Sequence, residues 1–350
     1  MNRPSIAFHE VFNEIANDTG PSSDVVREAL ESILAGEWTP VQVAGFAIAL
    51  RMRGERAETI SAAAQTICGH MIPVDHGLPI VADTCGTGGD GKGSINISTA
   101  AAFVVAAAGI PVAKHGSRSV SSRSGSADVI EALGIPIDVA PDKQAVVLRT
   151  AGIAFLFAPA HHPALRHSQT ARRELAVRTI FNVLGPLANP ARATHRLLGT
   201  YDHALRPAMA RVLADLGVRR AWVLRGDDGL DEVSPFGPTR VTEVANGQLR
   251  ERVLRPESFG LEPSRLGAID GGSAAENAQV IRAVLEGRRH PARDAVILNA
   301  AAALAVCREV DDETRFPELA AEAAQAIDSK RALRKLETLR MTTTIVRSAA

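Results

Sequence analysis

The chain has 350 residues, 46% hydrophobic and 22% charged, with 39 Lys and Arg balancing 39 Asp and Glu. That length points to two domains with ample core material. The balanced charge lacks the basic excess of a nucleic-acid binder, and the longest apolar stretch, Ala100 to Ile110, is too short to span a bilayer. Cys68, Cys85 and Cys307 form no CxxC pair, which argues against a disulfide framework or zinc site and for reduced thiols in the cytoplasm. Asn2, Arg3, Glu10 and Glu14 leave no room for a secretory apolar core at the N-terminus.

The first 75 or so residues read as helical. Val11, Ile15, Val25, Val26, Leu30 and Ile33 recur at helical spacing. Thr39-Pro40-Val41-Gln42 is a capping box with proline at the first helical position, and its helix runs toward Arg51. Gly54 interrupts the pattern and a further helix continues to Cys68. Around Pro79 the pattern changes. Pro79 to Ala82 reads as a buried strand, Gly86 to Gly93 as a loop and Ile97 to Ala108 as a helix. Pro111 to Ala113 follows as a strand ending at Lys114, then a Ser/Gly-rich loop and a helix from Ala127 to Leu133. Ile153 to Phe157 and Ala221 to Leu224 are further strands, and Ala292 to Ala305 a helix on the sheet. The fold class is α/β: a small all-helical domain over residues 1–77, then a larger domain over 78–350 with a mainly parallel sheet. Val74 to Leu78 and Gly185 to Ala191 are the linker candidates.

Four segments carry chemistry. The first, Asp83 to Thr99, sets five glycines between a strand and a helix, so that backbone N–H groups and a helix N-terminus can receive an anion. Gly86, Gly88 and Gly91 also fit a dinucleotide pattern, but the next strand ends in Lys114 where that reading needs an acid. The Walker pattern fails because Lys92 is followed by Gly93. The second segment, Lys114 to Asp128, places Lys114, Arg118, Arg123 and several serines at the C-terminal end of a strand, where open α/β sheets bind ligands. In the third, Asp231-Glu232 follows Asp227 and Asp228. Such a run is either a solvated turn or, beside two phosphate loops, a Mg²⁺ site completed by ligand phosphates. In the fourth, Arg172 can hold a substrate carboxylate and His161 and His162 can line the pocket, or all three can lie on a helix surface.

In combination and order, GTGGDG (86–91), NIST (96–99), KHGSRS (114–119), GSAD (125–128), RTIFNVLGPLANP (178–190) and LDE (230–232) resemble the anthranilate phosphoribosyltransferase family, from about residue 10 to 345. The resemblance implies a nucleoside-phosphorylase-like fold whose helical domain is completed by residues 170–189. It implies a homodimer that joins through the helical parts. Its substrates would be phosphoribosyl pyrophosphate and anthranilate, with no nucleic-acid or membrane partner. Gly86, Gly89, Asp90, Ser94, Asn96, Ile97, Ser98 and Thr99 would bind phosphoribosyl pyrophosphate. Lys114, His115, Gly116, Ser117, Arg118, Ser119, Val120, Ser121, Ser122 and Ser126 would close over it. Ser98, Asp231 and Glu232 would hold two Mg²⁺ ions. Arg172 would receive the anthranilate carboxylate, with Gly86, His162 and Gly185 near the acceptor, and Lys114, Arg172, Asp231 and Glu232 would carry the catalysis.

Two positions depart from the family pattern. Ser117 stands where the family has Asn, which bears on acceptor recognition, and Ala176 replaces a glycine, where alanine favours a continued helix. A related transferase with another aromatic acceptor, a pyrimidine nucleoside phosphorylase and a nucleic-acid-binding relative are the alternative readings. The phosphorylase would need no acidic Mg²⁺ pair, and the nucleic-acid binder would need a basic surface.

Overall fold

The computed structural model of the chain describes residues 6–119 and 123–348. Four helices open it: Phe8–Ala16, Ser23–Leu34, Pro40–Arg53 and Ala57–His70. The third starts as the capping box requires. Thr39 N–H donates to Gln42 Oε1 at 2.8 Å, and Gln42 N–H donates to Thr39 Oγ1 at 3.4 Å. It stops at Gly54, whose φ of 95° no helix continues. Leu30, Ile33, Phe46, Leu50, Ile60 and Ile67 form the core of this bundle. Ile180, Phe181, Val183 and Leu184 join the same core from the much later helix Ile180–Leu187.

The rest of the chain is built on a sheet of seven strands. They are β1 (Ala82–Asp83), β2 (Val112–Gly116), β3 (Ile153–Phe157), β4 (His195–Gly199), β5 (Arg220–Gly226), β6 (Thr239–Ala245) and β7 (Gln248–Leu254). Their order is β3-β2-β1-β4-β5-β6-β7; β1 to β5 run parallel, and β6 and β7 are antiparallel additions. The run expected from Pro79 shortens to Ala82–Asp83, because proline has no N–H to give and Val81 N–H is taken by Thr194 Oγ1 at 3.1 Å. β6 and β7 lie outside the elements expected above. Their signal is the Asn246-Gly247 turn, with φ of 49° and 79°, which suits a tight hairpin.

Strand periodicity splits the sheet between two cores. Leu197, Trp222 and Leu224 face the helices Ile97–Ala107 and Arg293–Cys307, whose alanines allow close packing. Leu198, Ala221 and Val223 face the other way, into the core shared with the helical bundle and the helix Leu205–Asp215. The expected linker at 185–191 is a correction. Gly185 to Leu187 end a helix, and Asn189 is buried, with Nδ2 donating to Asp83 Oδ2 at 2.8 Å and to Ala113 O at 2.9 Å. A buried backbone crossing needs such side-chain partners, whereas a linker would be solvated.

Candidate active site

Strand order reverses between β1 and β4: the chain builds toward β3 on one side and toward β5 on the other. Such a switch point opens a crevice at the C-terminal strand ends. Here the crevice is a cavity of about 310 Å³. The loop after β1 forms its floor. Gly88, Gly89, Gly91 and Gly93 have φ between 64° and 76°, a backbone region that a side chain would strain. Gly86, Gly89, Asp90, Ser94 and Asn96 line the cavity, as do Ser98 and Thr99 at the start of the following helix. Ile97 does not. Its side chain is fully buried in the apolar core, because it points into the helix's packed face.

Asp83, at the end of β1, holds this floor in place. Its Oδ1 accepts from Cys85 N at 3.0 Å and His115 N at 3.3 Å, while Oδ2 accepts from Arg196 Nη2 at 2.9 Å and from Asn189. Arg196 in turn donates to the carbonyls of Pro186 and Leu187. A buried ion pair, with further hydrogen bonds from both partners, thus ties β1, β2, β4 and the 186–189 crossing together.

The loop after β2 forms one wall. Lys114 is buried; its Nζ donates to Thr84 O at 3.3 Å, Thr84 Oγ1 at 3.4 Å and Ser98 Oγ at 3.2 Å, so it joins the two loops. His115, Gly116, Ser117, Arg118, Ser119 and Ser126 also line the cavity. Val120, Ser121 and Ser122 lie outside the described residues. Arg118 pairs with Asp128 at 3.0 Å and with Glu131 at 2.5 Å. Asp128 also accepts from Ser119 N at 3.1 Å and Gly125 N at 2.9 Å, which folds the loop back on the helix Ser126–Ala132.

Asp231 and Glu232 close the cavity after β5. Ser98 N–H donates to Glu232 Oε1 at 3.1 Å, and Asp231 N–H points at Asp90 Oδ2 at 3.4 Å. Burial, then the Asp90 charge, pushes the Asp231 carboxyl up from its ordinary range; burial, then Asp231, does the same to Glu232. Asp227 and Asp228 turn away. The first pairs with Arg240 at 2.9 Å, and the second accepts from Ser234 Oγ at 2.6 Å. Among the described residues no group of three or more His, Cys, Asp or Glu forms a protein-only metal cage. Two adjacent, charge-strained carboxylates and the Ser98 hydroxyl fit Mg²⁺, which takes few protein oxygens and completes its octahedron with phosphates and water.

The last wall comes from Ala158, Arg172, Phe181, Gly185 and Pro186. Arg172 lies over the Phe181 ring, 5.9 Å from its centroid. His161 and His162 are corrections: neither reaches the cavity. His161 Nδ1 bonds Ile72 O at 2.9 Å and His162 Nε2 bonds Ala188 O at 3.0 Å, both facing the interior. His115 takes that place. It is buried, its ring 5.2 Å from that of His162. Burial, then the neighbouring His162, lowers its pKa well below the ordinary value. Ala176 is a further correction: it ends the helix Gln169–Leu175 in the left-handed region at φ 49° instead of extending it.

A further wall joins Arg123, a cation of the second segment named above, to Gly272 and Asn277, which the sequence did not single out. Asn277 Nδ2 donates to Asn96 Oδ1 at 2.9 Å, and its own Oδ1 accepts from Gly272 N at 2.7 Å. No local pattern marks Asn277, because its partner lies in a distant stretch of chain. Arg178 and Asn182 were also left out, although both belong to the RTIFNVLGPLANP segment.

The family model described as "Glycosyl transferase family, a/b domain" matches residues 78–333, and "Glycosyl transferase family, helical bundle domain" matches residues 10–71. The chain is 53% identical to an anthranilate phosphoribosyltransferase of Thermomicrobium roseum, covering 91% of this chain and 92% of that one. It is 49% identical to one of Moorella thermoacetica, covering 89% and 91%. Among solved structures, that of anthranilate phosphoribosyltransferase from Thermus thermophilus superposes with a TM-score of 0.87 at 38% identity, over 96% of this chain and 99% of the other. The enzyme of Saccharomyces cerevisiae in complex with PRPP and Mg superposes with a TM-score of 0.89 at 30% identity, over 96% and 98%.

Proposed function

The chain belongs to the anthranilate phosphoribosyltransferase family, and we propose that this cavity transfers the phosphoribosyl group of phosphoribosyl pyrophosphate to the amine of anthranilate. The observation that carries this reading is the meeting of two anion-suited loops and a half-buried carboxylate pair at one switch point, with Ser98 touching both Lys114 and Glu232. In the reaction the amine nitrogen bonds to C1 of the ribose. The C1–O bond breaks with its electron pair going to the departing diphosphate, and the amine sheds a proton to solvent.

Positive loop N–H groups and Lys114 favour the growing charge on the diphosphate. Arg172, on the aromatic wall with Phe181, suits the anthranilate carboxylate, with Gly86, Gly185 and Ser117 near the ring. An aromatic amine is neutral near pH 7, so positioning and charge can suffice without a strong general base. Ser98, Asp231 and Glu232 would hold two Mg²⁺ ions, which supply charge neutralisation to the diphosphate when bound.

Residues 1–77 with 170–189 are proposed as the helical domain and 78–350 as the catalytic one, in a cytoplasmic homodimer. The test follows the loss of anthranilate fluorescence on adding phosphoribosyl pyrophosphate with and without Mg²⁺. Metal-dependent loss is expected. Intact binding of phosphoribosyl pyrophosphate without loss would point to another aromatic acceptor, and absent binding would overturn the reading.

A further inference from the structure

Five cationic side chains among the described residues line the cavity: Lys114, Arg118, Arg123, Arg172 and Arg178. Three are committed to the protein. Lys114 donates to Thr84 and Ser98, Arg118 pairs with Asp128 and Glu131, and Arg123 Nη2 donates to Gly271 O at 2.7 Å. Among the described residues, the guanidinium groups of Arg172 and Arg178 make no hydrogen bond or ion pair; each only overlies a ring. Arg172 belongs to the acceptor wall. Arg178 belongs elsewhere.

The Arg178 guanidinium stacks on Tyr201, 4.2 Å from the ring centroid, and faces the glycine-rich loop. A β-carbon on Gly89 would lie only 2.6 Å from Arg178 Nη2. The shelf beneath is fixed to the same loop: Tyr201 N–H donates to Thr87 Oγ1 at 3.0 Å, and Thr87 N–H donates to Gly199 O at 2.8 Å. The Arg178 carbonyl accepts from Arg51, which holds the residue from the helical side. A planar guanidinium stacked on a ring keeps its edge donors free, and a fixed orientation lowers the entropy lost when they meet an anion.

We propose that Arg178 is a catalytic residue of this site that binds the diphosphate leaving group over the glycine-rich loop, with Tyr201 positioning it. This deepens the function proposed above and rests on it. Arg172 then serves the carboxylate of one substrate and Arg178 the diphosphate of the other, so the two arginines divide the anions between them.

The test uses the full-length protein and inorganic pyrophosphate with Mg²⁺, read by calorimetry and as product inhibition. Arg178→Met should weaken pyrophosphate binding roughly 10- to 100-fold, the span expected for lost hydrogen bonds to a charged group. Arg178→Lys should fall between, and Tyr201→Leu should weaken pyrophosphate less than Arg178→Met does. The KM for anthranilate at saturating phosphoribosyl pyrophosphate should stay within about twofold, since Arg172 is untouched. Unchanged pyrophosphate affinity in a folded Arg178→Met protein, or a loss that falls on anthranilate KM instead, would overturn the assignment. Wild-type protein that binds pyrophosphate but never consumes anthranilate would sink the functional reading alone, leaving the arginine still measurable.

Discussion

The α-carbon of Gly199 abuts the backbone of Asp231 so closely that a β-carbon on Gly199 would lie 1.5 Å from the Asp231 carbonyl oxygen. The end of β4 therefore admits only glycine, and the acidic pair takes its position from that contact. Gly199→Ala must push the 231–232 backbone away. Overpacking of this kind costs about 1–3 kcal/mol. The expected result is a lower unfolding midpoint together with weakened Mg²⁺-dependent binding of phosphoribosyl pyrophosphate, measured by calorimetry. A variant with native affinity would show that the pair tolerates displacement.

Asp231 and Glu232 trade stability for binding. Both carboxyls are raised chiefly by burial, so ionising them opposes folding. Asp231→Asn with Glu232→Gln keeps the shape and removes both charges. At pH 8 without metal, the double variant should unfold at a higher temperature than the wild type, while Mg²⁺-dependent turnover is abolished. Normal turnover would remove the pair from the metal site.

His162 shows the opposite dependence. Burial, then the neighbouring His161, lowers its pKa to about 4 from an ordinary 6.5. The unfolded chain binds the extra proton first as pH falls. The stabilising contribution is thus complete above pH 6.5 and is lost between there and about 4. Thermal unfolding across that range should show a steep fall, shallower in His162→Gln, whose amide can still reach Ala188 O. An equal slope in the variant would assign the acid sensitivity to other groups.

Ala176 holds φ 49° at the end of its helix, and its N–H reaches Arg172 O at 3.3 Å. A left-handed alanine costs roughly 1–2 kcal/mol, partly offset by the greater unfolded freedom of glycine. Ala176→Gly should therefore stabilise the protein by up to about 1 kcal/mol, seen as a higher urea midpoint with an unchanged slope. Destabilisation would mean that the Ala176 methyl packs more usefully than its conformation suggests.

Local chemistry made much of this protein legible. A capping box, a proline at a helix start and glycines after a short apolar run act on their immediate neighbours. The Thr39 helix, the 86–93 loop and the parallel strands β2, β3 and β5 could therefore be placed from sequence, whereas β4 lay outside the expected elements. The strand pair at 239–254 left a local signal too, in Asn246-Gly247. Family resemblance added the grouping of segments that composition alone leaves separate.

Which side chain of a cluster faces the cavity was a tertiary matter. His161, His162 and His115 are equally plausible in sequence, yet backbone carbonyls of Ile72 and Ala188 draw the first two inward and leave His115 at the wall. Of four neighbouring acids, Arg240 and Ser234 claim Asp227 and Asp228, and only Asp231 and Glu232 remain for the site. Asp83 with Arg196, Asn277 with Asn96, and Arg178 on Tyr201 join residues far apart in the chain. Sequence determined which groups were present and how the backbone turns near each. Only the folded chain decided their partners, because a buried polar group is committed by whichever distant donor or acceptor the packing brings within reach.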